Sequence, residues 1–225
     1  MTKYAIIVAG GSGTRMGSSI PKQFLPIAGK PVLWHTVNTF LRSYEDMRIV
    51  LVLPKEHMQL ASNLVKAEKW NLITLVEGGD TRFHSVLNGL AHVEKNGIVF
   101  VHDGVRCLLT TELIHRCFEA AVARGNAVPA VKCVDSLRMQ TAEGNRVIDR
   151  DHVWAIQTPQ TFESDILLQA FQQKYEESFT DEATVVERLG IKINLVEGET
   201  NNIKITKPLD LLLAEAILNK LLHQS

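Results

Sequence analysis

Apolar runs that alternate with segments of helical periodicity constrain the fold of this chain more than any other feature. The runs YAIIVA, RIVLVLP, LITLVEG, IVFVHDG and NAVPAVK are rich in β-branched residues and lack polar alternation, as is typical of strands buried on both faces of a mostly parallel sheet. Between them, PVLWHTVNTFLRS, HMQLASNLVKAEK, RFHSVLNGLAHVEK and TELIHRCFEAAVARG carry apolar residues at helical spacing. This alternation predicts right-handed crossovers and an α/β fold with a doubly wound, Rossmann-like sheet.

The segment from residue 132 to residue 156 interrupts the pattern. Its strand-like alternation on either side of AEGN predicts a β-hairpin arm that leaves the body of the protein. An isolated two-stranded hairpin is marginally stable in water, so we expect the arm to pack on something, and a second copy of the chain is one natural solution. The runs IKINLVEG and NNIKIT and the closing helix KPLDLLLAEAILNKLLHQ then resume the α/β pattern. We therefore predict a single domain over residues 1–225.

Composition and charge exclude several classes of protein. The chain is 45% hydrophobic and has a formal net charge of −1, which argues against a nucleic-acid binder that relies on a broad basic surface. No apolar run reaches the roughly 18–20 residues that span a bilayer, and the N-terminal apolar stretch is too short for a signal peptide. The three cysteines show no CxxC spacing and are expected to be packing residues. We expect a cytoplasmic protein without a membrane or nucleic-acid partner.

Three glycine-bearing polar loops follow predicted strands. They are AGGSGTRMG after the first strand, EGGDTR after the third and HDGVR after the fourth. Ligands of doubly wound sheets bind outside the carboxyl ends of the strands. The three loops are therefore expected to share one edge of the sheet and to form the ligand site.

The first of these loops combines glycines with Arg15 and Lys22. Glycines allow a backbone to approach phosphates closely, and an Arg and a Lys could hold a triphosphate or stabilise charge on a phosphorus under attack. The alternative is a surface loop with incidental charges. A dinucleotide-binding loop is disfavoured because the glycine spacing is wrong and no acidic residue lies in the helix-like WHTVNTFLRS.

The other two loops carry groups that could recognise a nucleotide. Ser85 is predicted in the first turn of a helix, where anions and base edges can be bound, although Asp80 and Arg82 could instead only cap and pair. Asp103 follows a buried strand, where a carboxylate can help to hold Mg²⁺ or orient a hydroxyl. Arg106 could meet a second phosphate, and His102 is expected to be structural.

Further along the chain, Arg150, Thr158 and Lys204 lie in polar segments that suit a second, phosphorylated substrate. Each of the two cations, taken alone, could also be an ordinary surface residue.

Taken together, the chain resembles the 2-C-methyl-D-erythritol 4-phosphate cytidylyltransferases of the non-mevalonate isoprenoid pathway. The matching segments run nearly end to end: AGGSGTRMG with PKQFL, GGDTRFHSV, HDGVR, DR…W…QTPQTF, TDEA and NNIKITKPLDL. The resemblance implies CTP and Mg²⁺, in-line attack of the sugar-phosphate oxygen on the α-phosphorus, and release of pyrophosphate. It also implies a homodimer in which the hairpin arm crosses to the other subunit.

The resemblance also implies roles for individual residues. Arg15 and Lys22 take the charge-stabilising, catalytic role. The nucleotide side comprises Ala9, Gly10, Gly11, Gly13, Gly79, Asp80, Ser85, Asp103 and Gly104. The sugar-phosphate side comprises Arg106, Ser136, Arg150, Thr158 and Lys204, with Ser136 and Arg150 reaching over from the partner. Asp103 is the candidate metal ligand, although the CTP phosphates are expected to hold most of the Mg²⁺.

Two positions depart from the family pattern, and three other functions compete. Cys107 stands where the family usually has Pro, and Ser136 where it usually has Thr; neither change removes a charge. The ribitol 5-phosphate cytidylyltransferases share AGG.G.RMG, PKQF, HD.VR and TPQ.F with this chain, whereas DR..VW, TDEATVVERLG and EGETNNIKIT favour the methylerythritol enzyme. A CTP sensor without catalysis is disfavoured by the presence of Arg15 and Lys22, and an NAD-dependent oxidoreductase by the missing ribose acid.

Overall fold

The computed structural model describes residues 1–11 and 20–222. Its strands are β1 (Lys3–Val8), β2 (Pro26–Ile27), β3 (Lys30–Pro31), β4 (Met47–Leu53), β5 (Ile73–Glu77), β6 (Ile98–Asp103), β7 (Asn126–Lys132), β8 (Leu137–Thr141), β9 (Gly144–Ile148), β10 (Trp154–Ile156), β11 (Gln160–Glu163) and β12 (Leu195–Glu197). Its α-helices are α1 (Val32–Ser43), α2 (Met58–Ala67), α3 (Arg82–Leu90), α4 (Thr111–Arg124), α5 (Ser164–Ala170), α6 (Glu182–Glu187) and α7 (Pro208–Leu222).

One eight-stranded sheet forms the centre of the molecule. Its strands follow the order β10-β7-β11-β6-β1-β4-β5, and β12 pairs with β7. The half of the sheet made by β6, β1, β4 and β5 is parallel. The pairs β6–β11, β11–β7 and β7–β10 are antiparallel, whereas β12 runs parallel to β7. The predicted α/β fold with a mostly parallel central sheet is confirmed.

Helices cover both faces of the sheet because the central strands are apolar on both sides. In β1, Tyr4 and Ile6 face one cluster, which includes residues of α3, α5 and α6. Ala5 and Ile7 face the opposite cluster, which includes residues of α1, α2 and α4. Continuous apolar runs without polar alternation are therefore required in these strands. This arrangement is the doubly wound architecture that the sequence predicts.

A third, smaller apolar cluster lies under α7. Ala214 of this helix packs with Ile27, Val32, Val105 and Ile205. Cys107 is buried in the same cluster, and burial raises the pKa of its thiol to about 12. The residue therefore behaves as the packing residue that the sequence suggests.

The segment NNIKIT is not a strand, although it was grouped with the α/β pattern. Its backbone bonds to isolated partners: the Ile205 N–H donates to the Val105 carbonyl, and the Ile205 carbonyl accepts from Lys22 Nζ. Asp210 accepts from the backbone N–H groups of Thr206 and Lys207, which caps the start of α7. Local side-chain bonds thus replace a strand ladder here.

The segment predicted to form an arm contains a β-hairpin, with altered limits. Strands β8 and β9 form a separate two-stranded sheet that turns within AEGN. Strand β10, by contrast, returns to the central sheet, where Trp154 lies opposite Lys132 of β7. The part outside the central sheet therefore lies between residues 132 and 154. Several of its apolar side chains are exposed, including Val134 at 81% and Val147 at 68%.

None of the helices in the described ranges is long and apolar enough to cross a membrane.

Gly89 lets α3 approach the sheet closely. A Cβ atom built at this position would lie 2.8 Å from Ile6 Cγ2 and 3.2 Å from Val52 Cγ2, both of fully buried residues. We expect Gly89→Ala to lower the free energy of unfolding by up to about 2 kcal/mol, because an overpacking cost of about 1–3 kcal/mol outweighs a helix-propensity gain of about 1 kcal/mol. Urea unfolding measures the difference.

The control is Asn219→Ala on the exposed side of α7, which gains helix propensity without a close contact. A Gly89→Ala variant that is as stable as wild type or more stable would contradict this prediction. It would show that Ile6 and Val52 can move to accommodate the added Cβ without loss of stability.

Candidate active site

A cleft of about 540 Å³ opens at the carboxyl ends of the parallel strands. The three glycine-bearing loops meet there, as the sequence predicts. The described residues that line it are Val8, Ala9, Gly10, Gly11, Lys22, Val52, Leu53, Pro54, Lys55, Glu56, Glu77, Gly78, Gly79, Asp80, Thr81, Arg82, Ser85, Asp103, Val105 and Lys204. Nine residues assigned to the site from the sequence are among them: Ala9, Gly10, Gly11, Lys22, Gly79, Asp80, Ser85, Asp103 and Lys204. Gly13 and Arg15 lie outside the described residues.

Lys22 enters the cleft from a short 3₁₀ turn over Lys22–Phe24. Its ammonium donates to the Ile205 carbonyl at 3.0 Å. The next residue, Gln23, is fully buried and donates from Nε2 to the Ala9 carbonyl at 2.9 Å. This bond ties the turn that carries Lys22 to the end of β1. Lys22 is thus held beside Gly11, where an added Cβ would lie 3.4 Å from Lys22 Cε.

The loop after β5 forms a second wall of the cleft. The Ser85 hydroxyl accepts from the Gly79 N–H at 3.2 Å and lies 3.3 Å from the Gly79 carbonyl, so it fixes the turn against the start of α3. Thr81 caps this helix by accepting from the His84 N–H. A Cβ at Gly79 would lie 2.5 Å from His84 Cβ, so the turn requires glycine. Asp80 projects from it as an exposed carboxylate on the cleft wall.

Asp103 lies at the end of β6 and is surrounded by three cations. Lys204 Nζ lies 2.9 Å from Asp103 Oδ2, and Arg106 Nε lies 3.6 Å from the same oxygen. Arg82 Nη2 approaches Asp103 Oδ1 at 3.5 Å. Burial alone would raise the pKa of Asp103, but the charges of Arg82, Lys204 and Arg106 outweigh it and hold the pKa well below its ordinary value. The group is a carboxylate throughout the physiological range.

Thr158 and His102 support Asp103 from behind. The Asp103 N–H donates to Thr158 Oγ1 at 3.1 Å, and this hydroxyl in turn lies 3.1 Å from His102 Nδ1. A carbonyl oxygen can only accept, so His102 Nε2, which lies 3.2 Å from the Arg106 carbonyl, carries the ring proton, and Nδ1 accepts from the Thr158 hydroxyl. Thr158 was assigned to the sugar-phosphate side, but its hydroxyl is engaged within this network. His102 is structural, as expected.

Arg106 and Gly104 also lie behind the cleft surface. Arg106 Nη1 donates to the Asn202 carbonyl at 2.7 Å, while its Nε is buried without a hydrogen bond among the described residues. Gly104 donates to the Val8 carbonyl at 2.9 Å, and a Cβ there would lie 3.1 Å from Ala9 Cβ. Gly104 thus allows the loop after β6 to pack against the loop after β1.

The described residues do not offer a ready site for Mg²⁺. No group of three or more His, Cys, Asp or Glu side chains among them could hold a metal ion. The candidate ligand, Asp103, already faces three cations within 3.6 Å, which disfavours a divalent cation at its carboxylate. Asp103 is therefore poorly placed as a metal ligand in this arrangement.

The two arm residues of the predicted site do not line this cleft. Ser136 and Arg150 are both exposed on the protruding segment. Arg150 Nη1 donates to the Val134 carbonyl at 2.7 Å, which braces the base of the arm. A single chain therefore does not bring these two residues together with Lys22 and Lys204.

The sequence reasoning assigned no site role to three cleft residues, Arg82, Lys55 and Glu56. Arg82 was read only as a partner for a helix cap, yet it forms ion pairs with both Asp103 and Glu182. Its position three residues after Gly79, at the start of α3, is the sequence signal for a place in the cleft. Lys55 and Glu56 begin a 3₁₀ turn after β4, and their position after a parallel strand is the corresponding signal.

The depressed pKa of His102 predicts a pH-dependent stability. Complete burial lowers this pKa to about 4, against an ordinary value of 6.5. In the unfolded chain, His102 is thus protonated below about pH 6.5, whereas in the native protein its ring is protonated only below about pH 4. Stability present above pH 6.5 is therefore lost as the pH falls through this window, by on the order of 3 kcal/mol.

Nuclear magnetic resonance of the ring nitrogens should show His102 neutral at pH 5 with the proton on Nε2. Urea unfolding should show a steeper loss of stability from pH 7 to pH 5 in wild type than in His102→Gln. Protonation of His102 in the native protein near pH 6.5 would contradict the assignment. Exposed His152 supplies a reference signal.

Comparison with known proteins identifies the family. Residues 3–220 match the family model described as IspD, 2-C-methyl-D-erythritol 4-phosphate cytidylyltransferase. Two proteins of that name, from Bacteroides fragilis and Bacteroides thetaiotaomicron, are 47% and 48% identical to this chain; each alignment spans 97% of this chain and all of the relative.

Solved structures agree with the sequence comparison. The 4-diphosphocytidyl-2C-methyl-D-erythritol synthase of Anaerococcus prevotii superposes with a TM-score of 0.83 at 29% identity, over 97% of this chain and 98% of that one. The Francisella tularensis IspD gives a TM-score of 0.80 at 30% identity, over 96% and 99% of the two chains. This chain belongs to the 2-C-methyl-D-erythritol 4-phosphate cytidylyltransferase family.

Proposed function

We propose that the cleft transfers a cytidylyl group from CTP to 2-C-methyl-D-erythritol 4-phosphate. A phosphate oxygen of the acceptor attacks the α-phosphorus of CTP and forms a new P–O bond. The bond from the α-phosphorus to the bridging oxygen breaks, and pyrophosphate leaves with the electron pair. The acceptor phosphate is already an anion, so no general base and no covalent enzyme intermediate are required. Catalysis then rests on positioning and on stabilising charge.

The observation that carries this proposal is the meeting of Lys22, Asp103 and Lys204 with two glycine-bearing loops in one cleft, in a chain of this family. Lys22 lies beside the glycines of the first loop, and Lys204 lies beyond Asp103. One cleft thus offers separate cations to a triphosphate and to a second phosphate. We propose that Lys22 and Arg15 stabilise the charge that develops around the α-phosphorus.

On the nucleotide side, we propose that the wall formed by Gly79, Asp80 and Ser85 reads the cytosine. The Ser85–Gly79 hydrogen bonds make the turn rigid, so the groups of the wall are oriented before the base arrives. Rigid polar groups discriminate well because a base with the wrong edge leaves them unpaired. Ala9, Gly10 and Gly11 form the opposite wall, and a ribose hydroxyl would reach Asp103.

On the acceptor side, we propose that Lys204 and Arg106 bind the phosphate of the sugar. Both face Asp103 in this structure. Lys204 lines the cleft, whereas Arg106 lies behind it and would reach the phosphate only after moving away from Asp103. Thr158 contributes indirectly, by fixing the backbone of Asp103. Mg²⁺ remains the proposed cofactor, carried by the phosphates of CTP. We place the reaction in the cytoplasm, where its small phosphorylated substrates would be found.

We propose that the protein works as a homodimer and that the arm completes the site of the partner. The arm exposes apolar side chains such as Val134 and Val147, and its two strands pair only with each other among the described residues. A two-stranded hairpin requires packing to be stable. Across a two-fold axis, Ser136 and Arg150 would reach the acceptor phosphate of the second subunit.

Ribitol 5-phosphate is the competing acceptor, because the shared loop motifs do not discriminate between the two family types. The test is pyrophosphate release with CTP and Mg²⁺, run with methylerythritol phosphate, with ribitol 5-phosphate and without acceptor. A strong preference for the first supports the proposal. Preference for ribitol would change the substrate but keep the chemistry, and CTP binding without turnover would indicate a sensor.

Replacement of the catalytic cations should abolish most turnover. We expect Lys22→Ala or Arg15→Ala to lower kcat by roughly 10²–10³-fold, the usual contribution of one charge-stabilising group in a transition state. The melting temperature should stay close to that of wild type, since Lys22 lies on the cleft wall and not in an apolar cluster.

Lys30→Ala is the matched control, because Lys30 is paired with Glu68 and does not line the cleft. It should keep a near wild-type kcat. A Lys22→Ala enzyme with more than about a tenth of wild-type kcat would exclude the catalytic role.

The arm predicts a complementation between subunits. Arg150→Ala should raise the KM for the sugar phosphate more than the KM for CTP. Mixed with Lys22→Ala subunits, it should form heterodimers in which one site carries both lesions and the other carries neither. Assayed at a sugar-phosphate concentration far below the raised KM, the two variants refolded together in equal amounts should restore about a quarter of wild-type activity.

The same mixture without subunit exchange serves as the control and should show only the mean activity of the two variants. Activity equal to the mean of the two variants after exchange would show that Arg150 serves its own subunit.

A further inference from the structure

Glu182 is an acidic residue that the proposed mechanism does not use, although it lies directly behind the cleft. Its side chain is 1% exposed and does not line the cleft. It forms an ion pair with Arg82 through Oε1, while Oε2 is buried without a hydrogen bond in the described part of the chain. The TDEA motif thus places a carboxylate against Arg82, the one arginine among the described residues that lines the cleft.

The start of α6 holds Glu182 rigidly. Asp181 accepts from the Thr184 N–H, and the Thr184 hydroxyl lies 3.3 Å from the Asp181 N–H, which forms a capping box. Gln160 of β11 donates to Asp181 at 2.8 Å and accepts from the Ala183 N–H at 2.8 Å. These bonds fix the backbone on both sides of Glu182.

Arg82 lies between two carboxylates. Its Nη1 is in close contact with Glu182, whereas its Nη2 stays 3.5 Å from Asp103 Oδ1, longer than the 2.7–2.9 Å typical of charge-assisted hydrogen bonds. Although burial disfavours its charge, the carboxylates of Glu182 and Asp103 hold the pKa of Arg82 above its ordinary value. The guanidinium thus forms one ion pair with Glu182, behind the cleft, and a second, longer one with Asp103.

The stability of the fold does not by itself explain why a carboxylate is buried at position 182. A buried ion pair is often no more stabilising than well-packed apolar residues of similar volume, because both charges lose their hydration. Arg82, in contrast, keeps 27% of its side chain exposed towards the cleft. In a cleft that binds a polyanion, an exposed arginine without a fixed partner would itself bind phosphate.

We propose that Glu182 is a positioning residue that restrains Arg82, so that Arg82 braces Asp103 and does not capture the triphosphate. This inference rests on the proposed binding of a nucleoside triphosphate in the cleft. Without the charge of Glu182, the guanidinium turns towards the phosphates. The nucleotide then binds at least as tightly, but out of line with Lys22 and with the acceptor.

The test is Glu182→Gln, which keeps the shape and removes the charge. We expect kcat to fall roughly 10- to 100-fold, the scale of a reactant misplaced by about 1 Å. The dissociation constant for CTP, measured calorimetrically without acceptor, should be unchanged or lower. Inorganic tripolyphosphate should bind roughly threefold to tenfold more tightly, as expected for one additional, partly screened charge contact.

The double variant Arg82→Gln with Glu182→Gln isolates the cause. If the extra affinity comes from Arg82, the double variant should lose it and bind tripolyphosphate no more tightly than wild type. Glu187→Gln is the matched control, because Glu187 is exposed on the same helix and does not line the cleft. It should leave kcat and both affinities unchanged.

Three outcomes would overturn the inference: weaker CTP binding in Glu182→Gln together with a lower melting temperature, an unchanged kcat, or tighter tripolyphosphate binding that survives in the double variant. Failure of the proposed function itself shows separately, as absence of turnover by wild type with either acceptor. The tripolyphosphate measurement still tests the restraint on Arg82 in that case, because it depends on neither the base nor the acceptor.

Discussion

The charge cluster around Asp103 is the interaction on which the rest of the site depends. Its three cations come from three separate parts of the chain: Arg82 from the start of α3, Arg106 from the turn after β6 and Lys204 from the segment before α7. One carboxylate therefore aligns the nucleotide wall with the proposed acceptor wall. The Thr158–His102 network holds the backbone N–H of Asp103. Since Asp103 is the last residue of β6, the position of its carboxylate is set by the central sheet.

The sequence predicts those parts of the structure that local physics determines. The buried strands follow from runs without polar alternation, and the convergence of three loops follows from the rule that parallel strands end at one edge. Nine cleft residues, including Lys22, Asp103 and Lys204, were named in advance for these reasons or from the family resemblance. Ala9, Gly10, Gly79 and Asp103 lie at or within a few residues of strand ends, where position in the chain and position in space agree; Lys22 and Lys204 lie further along the chain and follow from the family resemblance.

The features that the sequence does not predict depend on contacts between residues that are far apart in the chain. Glu182 meets Arg82 across an interval of 100 residues, and its burial follows from the packing of α6 against the body. NNIKIT has a strand-like composition but bonds to Val105 and Lys22 in place of a ladder. Likewise, β10 resembles the second strand of the arm, yet its pairing with β7 returns it to the central sheet. In each case, tertiary partners override local preference.

The change of strand direction between β6 and β11 has a consequence for how such an enzyme can diversify. On one side of this seam, the parallel strands carry the loops of Lys22 and Gly79; on the other, the antiparallel strands and the arm carry Thr158 and Arg150. The motifs that the sequence analysis found in common with ribitol 5-phosphate enzymes fall mostly on the first side, and those that favour the methylerythritol enzyme fall on the second. Under the proposed division of the cleft, mutation of the second half alone would change the acceptor and leave the nucleotide half unaltered.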